Sequence, residues 1–182
     1  MRVIAGTARG IPLVAPRDRG TRPITDRVKE TLFAILGDRV PDARVLDLYA
    51  GSGAIGIEAL SRGAARVDFV EHARHAREAI ERNLATTRLA DQARIHGIDV
   101  ERFLADPPAD APPWDLVVLD PPYEVRAIVA PLRALVPHLA AEAVIVVKHF
   151  WRTEVPAVDG LAPWRQRRFG ETMLTLLTRE DG

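Results

Sequence analysis

Apolar positions in this 182-residue chain fall into short continuous runs, separated by longer segments with helical spacing. Leu116-Val117-Val118-Leu119 is one such run. Others lie just ahead of Gly51, over Arg66–Val70, near Gln92–His96 and over Ala143–Val147. Unbroken apolar runs of this length suit strands buried on both faces, as in a parallel sheet covered by helices. Further strands are expected at Trp164–Phe169 and Thr172–Thr178, and Trp114 is expected to start the strand that leads to Leu119. Thr25 predicts a helix N-cap with Asp26 in the first turn, and Val28, Leu32, Phe33, Ile35 and Leu36 supply one apolar face. Arg2–Val14 reads as a β-hairpin and Pro16–Pro23 as a Gly/Pro-rich connection. The pattern predicts an α/β fold: a seven-stranded, mostly parallel sheet with helices on both faces and an N-terminal hairpin extension.

Where the runs stop, the residues become chemical. Residues 45–60, VLDLYAGSGAIGIEAL, pass from a strand through a glycine turn into a helix, with Gly51, Gly53 and Gly56 in G-x-G-x-x-G spacing. Such a loop brings backbone close to a ligand, either a dinucleotide or S-adenosylmethionine. Asp47 favours the second, because a carboxylate there repels a pyrophosphate and attracts the ammonium of a methionine moiety. Glu71 ends the next strand 20 residues after Gly51, where an acid binds ribose hydroxyls. Asp99 follows the third strand and is placed to accept from an adenine amino group. Asp120 follows the fourth and opens Asp120-Pro121-Pro122-Tyr123, a stiff loop with a carboxylate at one end and an aromatic plate at the other. That device suits a flat base bearing an amino group. Four successive βα units therefore each close on an acid.

These residues resemble a class I, Rossmann-like methyltransferase acting on an exocyclic amino nitrogen. The resemblance narrows to the RsmD family, bacterial enzymes that methylate guanine N2 in 16S ribosomal RNA. It rests on RVIAGTARG at 2–10, TRPITDRVKETLFAIL at 21–36, DLYAGSGAIGIEALSRGA at 47–64, VDFVE at 67–71, the DPPY loop, and FGETMLTLL at 169–177. It implies a cofactor pocket of Asp47, Tyr49, Ala50, Gly51, Ser52, Gly53, Glu71, His72, Asp99, Val100 and Asp120. It also implies catalysis by Asp120, Pro121 and Tyr123, with Pro122 and Tyr123 against the base. The segment Lys148-His149-Phe150-Trp151 departs from the family pattern, and its expected bearing is on RNA contacts rather than on the reaction.

Composition adds limits. The net charge is zero, yet residues 1–40 carry eight Lys or Arg against four acids. Arg9, Arg17, Arg19, Arg22 and Arg27, with Arg2 and Lys29, are candidates for a phosphate-contacting face. No cysteine occurs, which excludes a cysteine nucleophile and a Cys-based zinc site. The five histidines show no metal-binding spacing, so no metal is expected. Residues 1–30 lack the apolar core of a signal peptide. The expectation is a cytoplasmic monomer of one methyltransferase domain, residues 1–24 forming the basic extension and 25–182 the catalytic core. Its expected partner is 16S rRNA, within an assembling small subunit, and no membrane. Other readings are a DNA adenine N6-methyltransferase, usually with Asn in place of Asp120, and a protein-glutamine methyltransferase without the basic N-terminal segment. A nicotinamide-dependent dehydrogenase and an RNA-binding factor complete the set.

Overall fold

The computed structural model describes residues 1–16, 24–111, 113–121 and 126–180. Its centre is a seven-stranded sheet in the order β3-β2-β1-β4-β5-β7-β6. Strands β1 (Arg44–Leu48), β2 (Arg66–Val70), β3 (Ala93–His96), β4 (Trp114–Leu119) and β5 (Leu139–Phe150) are mutually parallel. The tail adds β6 (Leu161–Phe169) and β7 (Thr172–Arg179), with β7 antiparallel to both β5 and β6. Strand order reverses between β1 and β4, and a crevice at such a switch point is where open α/β sheets bind ligands.

Alternate strand residues feed two cores. Val45, Val67, Phe69, Leu116, Val118, Val144 and Val146 pack against helices α1 (Asp26–Leu36), α2 (Ala54–Ser61) and α3 (Arg74–Thr87). Leu46, Leu48, Val70, Val117, Leu119, Ile145 and Val147 face α4 (Val100–Ala105) and α5 (Arg126–Leu135). Period-two side chains with both faces covered explain why these strands read as continuous apolar runs. Helix α1 begins as its sequence predicts, the Thr25 side chain accepting from the Val28 amide.

The N-terminal segment turns back on itself as expected, through one antiparallel bridge, Arg2 with Pro12, and through backbone bonds from the Val3 amide to the Ile11 carbonyl at 3.0 Å, Gly10 to Val3 at 2.9 Å and Leu13 to Met1 at 3.1 Å. Amides at its turn bond elsewhere. The Ile4 and Ala5 amides bond the Glu58 carboxylate at 2.8 and 3.0 Å, and those of Thr7 and Ala8 bond Ser61 at 2.8 and 2.9 Å. Glu58 and Ser61 both sit on α2, so the segment is laced onto that helix. Lys29 also leaves the proposed phosphate face: it is fully buried, its Nζ bonding Glu58 at 3.2 Å and the Arg2 carbonyl. A buried carboxylate needs a cation beside it, and Glu58 takes Lys29 and Arg62.

Candidate active site

Glycines of the 51–56 turn divide their labour. Tyr49, Gly51 and Gly53 all have positive φ (56°, 57° and 72°), so the loop takes left-handed backbone at every second residue. A Cβ on Gly56 would run into the Phe69 ring and Val67, so this glycine lets α2 lie against β2. A Cβ on Gly51 would meet nothing nearer than the Tyr49 carbonyl at 4.0 Å, so that position faces open space. The first residue serves packing; the second leaves room for a ligand.

Carboxylates hold this loop by its backbone. Asp47, nearly fully buried in β1, accepts the Gly56 amide at 3.0 Å. It thereby caps α2, whose N-cap Gly53 has no side chain to do so. Burial pushes the Asp47 carboxyl up to about 8; the Gly56 bond pulls the other way, and the charges of Asp120 and Glu71 add to the rise. Glu71 accepts the Gly51 amide at 2.9 Å and the Ala73 amide at 2.8 Å. His72 beside it is exposed, its Nδ1 3.5 Å from Glu71. The Ala50 amide donates to the Val70 carbonyl at 3.2 Å, and the Ser52 carbonyl accepts from Asn83 at 2.9 Å. Asn83 also bonds both the amide and the carbonyl of Val14, at 2.8 and 3.0 Å, which ties the N-terminal segment to the loop. Tyr49 donates its hydroxyl to Glu101 at 3.2 Å.

Asp99 stands exposed at the start of α4 without a side-chain capping bond, and Val100 after it packs into the core. Asp120 lies across the switch point from Asp47, its amide 3.4 Å from the Leu48 carbonyl. Pro121 is buried behind it. Pro122 and Tyr123 lie outside the described residues, as do Arg17, Arg19 and Arg22; Arg9 and Arg27 are both exposed.

The Lys148 expectation is corrected. Leu119 of β4 is in register with Val147 of β5, so the residues that follow, Asp120 and Lys148, are neighbours at the sheet edge. Lys148 Nζ lies 2.7 Å from both Asp120 oxygens. Burial at the strand end raises the Asp120 carboxyl, against the opposing pull of Lys148. A lysine closing the apolar run Val144–Val147 was the signal available in the sequence. A second missed group is Asp68, buried within β2, with His96 at 2.8 Å and the Trp114 indole at 3.3 Å.

Among the described residues no cluster of three or more His, Cys, Asp or Glu could hold a metal ion. The groups present fit S-adenosylmethionine: open space over Gly51, and acids spaced along one edge to meet an ammonium, a ribose and an amino group.

Comparison with known proteins agrees. The family described as conserved hypothetical protein 95 matches residues 1–178. Ribosomal RNA small subunit methyltransferase D of Escherichia coli K12 is 37% identical over 185 residues, covering 99% of this chain and 90% of its own length. A solved structure of Escherichia coli yhhF superposes with a TM-score of 0.85 at 36% identity, covering 100% of this chain and 99% of that one. A hypothetical protein of Thermus thermophilus gives 0.82 at 32% identity, covering 97% and 98%. The chain belongs to the conserved hypothetical protein 95 family, the RsmD family of methyltransferases.

Proposed function

We propose that this protein transfers a methyl group from S-adenosylmethionine to the exocyclic N2 of a guanine in 16S ribosomal RNA. The observation that carries the proposal is the row of four acids, Asp47, Glu71, Asp99 and Asp120, at one sheet edge around an open glycine loop. The relative's name supports RNA of the small subunit as substrate. The whole chain acts as one catalytic unit, a cytoplasmic monomer, with residues 1–24 as an extension that meets RNA through Arg9, Arg17, Arg19 and Arg22, joined by Arg27 of α1.

When bound, S-adenosylmethionine supplies a methyl group already activated on a sulfonium. Asp47 receives the methionine ammonium, Glu71 the ribose hydroxyls and Asp99 the adenine amino group, with Tyr49, Ala50, Ser52 and Gly53 shaping the pocket wall. His72 and Val100 flank the ribose and adenine ends. The guanine, unstacked from its RNA, enters beside Asp120. Asp120 and the Pro121 carbonyl accept the N2 hydrogens, aim the nitrogen lone pair and stabilise the positive charge that develops on nitrogen, and the surplus N2 proton leaves to water. Pro122 stiffens the wall and Tyr123 stacks on the base. Lys148, 2.7 Å from both carboxylate oxygens, opposes the rise that burial imposes on Asp120 and so favours the form that accepts. Alignment supplies most of the acceleration.

The test is transfer of tritiated methyl to 16S rRNA, free and in small subunits, from a strain lacking the enzyme, followed by nucleoside analysis. N2-methylguanosine is the expected product. Label found only in adenine or in protein glutamine would replace the substrate assigned here.

A further inference from the structure

Beyond Asp120, the same sheet edge carries a second surface with nucleic-acid chemistry. Phe150 of β5 is in register with Thr172 of β7, and Thr172 with Phe169 of β6. Because β5 runs parallel to β4, this row lies at the edge that bears Asp120. Trp151 follows the row, its amide donating to the Glu171 carbonyl at 2.9 Å. It stands three positions beyond Lys148, about 10 Å of extended chain.

Two guanidiniums rest on Trp151, Arg168 at 3.8 Å and Arg152 at 4.7 Å from the ring centroid. Arg168 is steadied by donating to the Gly170 carbonyl at 2.8 Å. The ring is half-buried, while Arg152, Arg165, Arg167 and Arg168 are exposed. Residues 148–172 hold five Lys or Arg against the three acids Glu154, Asp159 and Glu171. Charge on an edge strand can serve simply to prevent edge-to-edge pairing. That need does not call for an aromatic ring beneath guanidiniums beside an active site. Among the described residues the large aromatic side chains of this edge, Phe150, Trp151, Trp164 and Phe169, are only partly exposed, and the arginines are what stands in solvent.

We propose that Trp151, Arg152 and Arg168 form a docking platform for single-stranded RNA flanking the target nucleotide. The guanidinium planes held on Trp151 give a neighbouring base a surface to stack on, and their outward N–H groups pair with phosphates. Extracting a guanine from its stack leaves neighbouring bases without a partner, and this arginine-capped ring replaces the lost stacking. The inference rests on the RNA-methylating reading of the Asp120 edge.

Binding of protein-free 16S rRNA by the full-length protein tests it, with salt dependence measured for wild type, Arg152→Ser/Arg168→Ser, Trp151→Ala and Trp151→Phe. The double variant should flatten the slope of log affinity against log salt by about 0.7 for each lost phosphate contact, roughly 1.4 in all. Trp151→Ala should weaken binding by roughly 5- to 150-fold. Trp151→Phe, which keeps a ring over the core, should lose much less. Affinity for S-adenosylmethionine should not move in any of them. Wild-type affinity and slope in the double variant would overturn the platform. So would a defect seen only with assembled subunits, which would assign the patch to a ribosomal protein. Because RNA binding is read without methyl transfer, RNA held through this edge with no methylation would sink the catalytic reading and leave the platform standing.

Discussion

The two sides of the switch point hold their acids in different ways. On the β1–β2 side, Asp47 and Glu71 bond backbone amides: Gly56, nine residues on, Gly51, 20 residues back, and Ala73, two residues on. On the β4–β5 side, Asp120 is held by a side chain, Lys148, which lies 28 residues further along. Backbone donors come with the turn itself and survive most substitutions. A side-chain cation is one mutation from being lost, and it sets the charge as well as the position of its partner. The cofactor side is therefore rigid by construction, while the acceptor side is tuned by one residue.

The largest expected effect lies at the acceptor side. Asp120→Ala should lower turnover by about 100- to 1000-fold, the scale of removing one pre-organised polar partner. Its affinity for S-adenosylmethionine, measured by calorimetry, should stay within a few-fold of wild type. Loss of binding equal to the loss of rate would erase the distinction between the two sides.

Paired glycine variants probe the rigid side. Gly56→Ala should destabilise the fold by about 1–3 kcal/mol through overpacking against Phe69, seen as a lower Tm. Gly51→Val should keep more of the fold, with strain of about 1–2 kcal/mol at its positive φ, and lose cofactor binding by at least tenfold. Equal Tm losses with equal binding would show that the two glycines share one role.

Lys148→Met is expected to cut turnover near neutral pH by about tenfold. With the cation gone, burial alone acts on Asp120, its carboxyl rises further, and the acid limb of the rate profile moves to higher pH. Lys148→Arg should restore most of the wild-type profile. A profile that keeps its shape and only drops in height would reduce Lys148 to packing.

Asp47 gives an effect read in pH dependence, not in turnover. With its carboxyl near 8 in the free protein, it is mainly protonated at pH 7. Binding an ammonium there requires the ionised form, so complex formation should release a proton. Affinity should rise between pH 6 and 7.5, by at most about tenfold per unit. The sign for stability is opposite. A raised folded pKa stabilises below the unfolded value and is lost as pH climbs through about 8. Asp47→Asn keeps an acceptor for Gly56, so it should fold normally, bind weakly and lose this pH dependence.

The N-terminal arginines complicate a clean separation of RNA binding from cofactor binding. Arg9 lies in a segment tied to Ser52 through Asn83 and Val14. Charge changes confined to the exposed Arg9 and Arg27 side chains leave those backbone bonds in place, whereas deletion of the segment would remove the loop's support.

Strands β1 to β4, the capped helix α1 and the glycine loop were legible because each is written in contiguous residues. Apolar runs, a capping threonine and glycine spacing act over a few positions, and local sterics enforce them. The acids were legible for the same reason, since each ends its own strand. That the N-terminal hairpin is laced onto α2 was not legible, because the partners of its turn amides, Glu58 and Ser61, lie more than 50 residues away. Lys29, Asp68 and Lys148 were misread or missed likewise. A charged residue in a chain looks solvated until the fold shows what is packed around it. By itself the sequence determined the element order, the sheet-edge acids and the family. Tertiary structure alone decided which carboxylate meets a backbone amide and which meets a cation. Strand register sets those pairings, and register arises only when distant runs bury their apolar faces together.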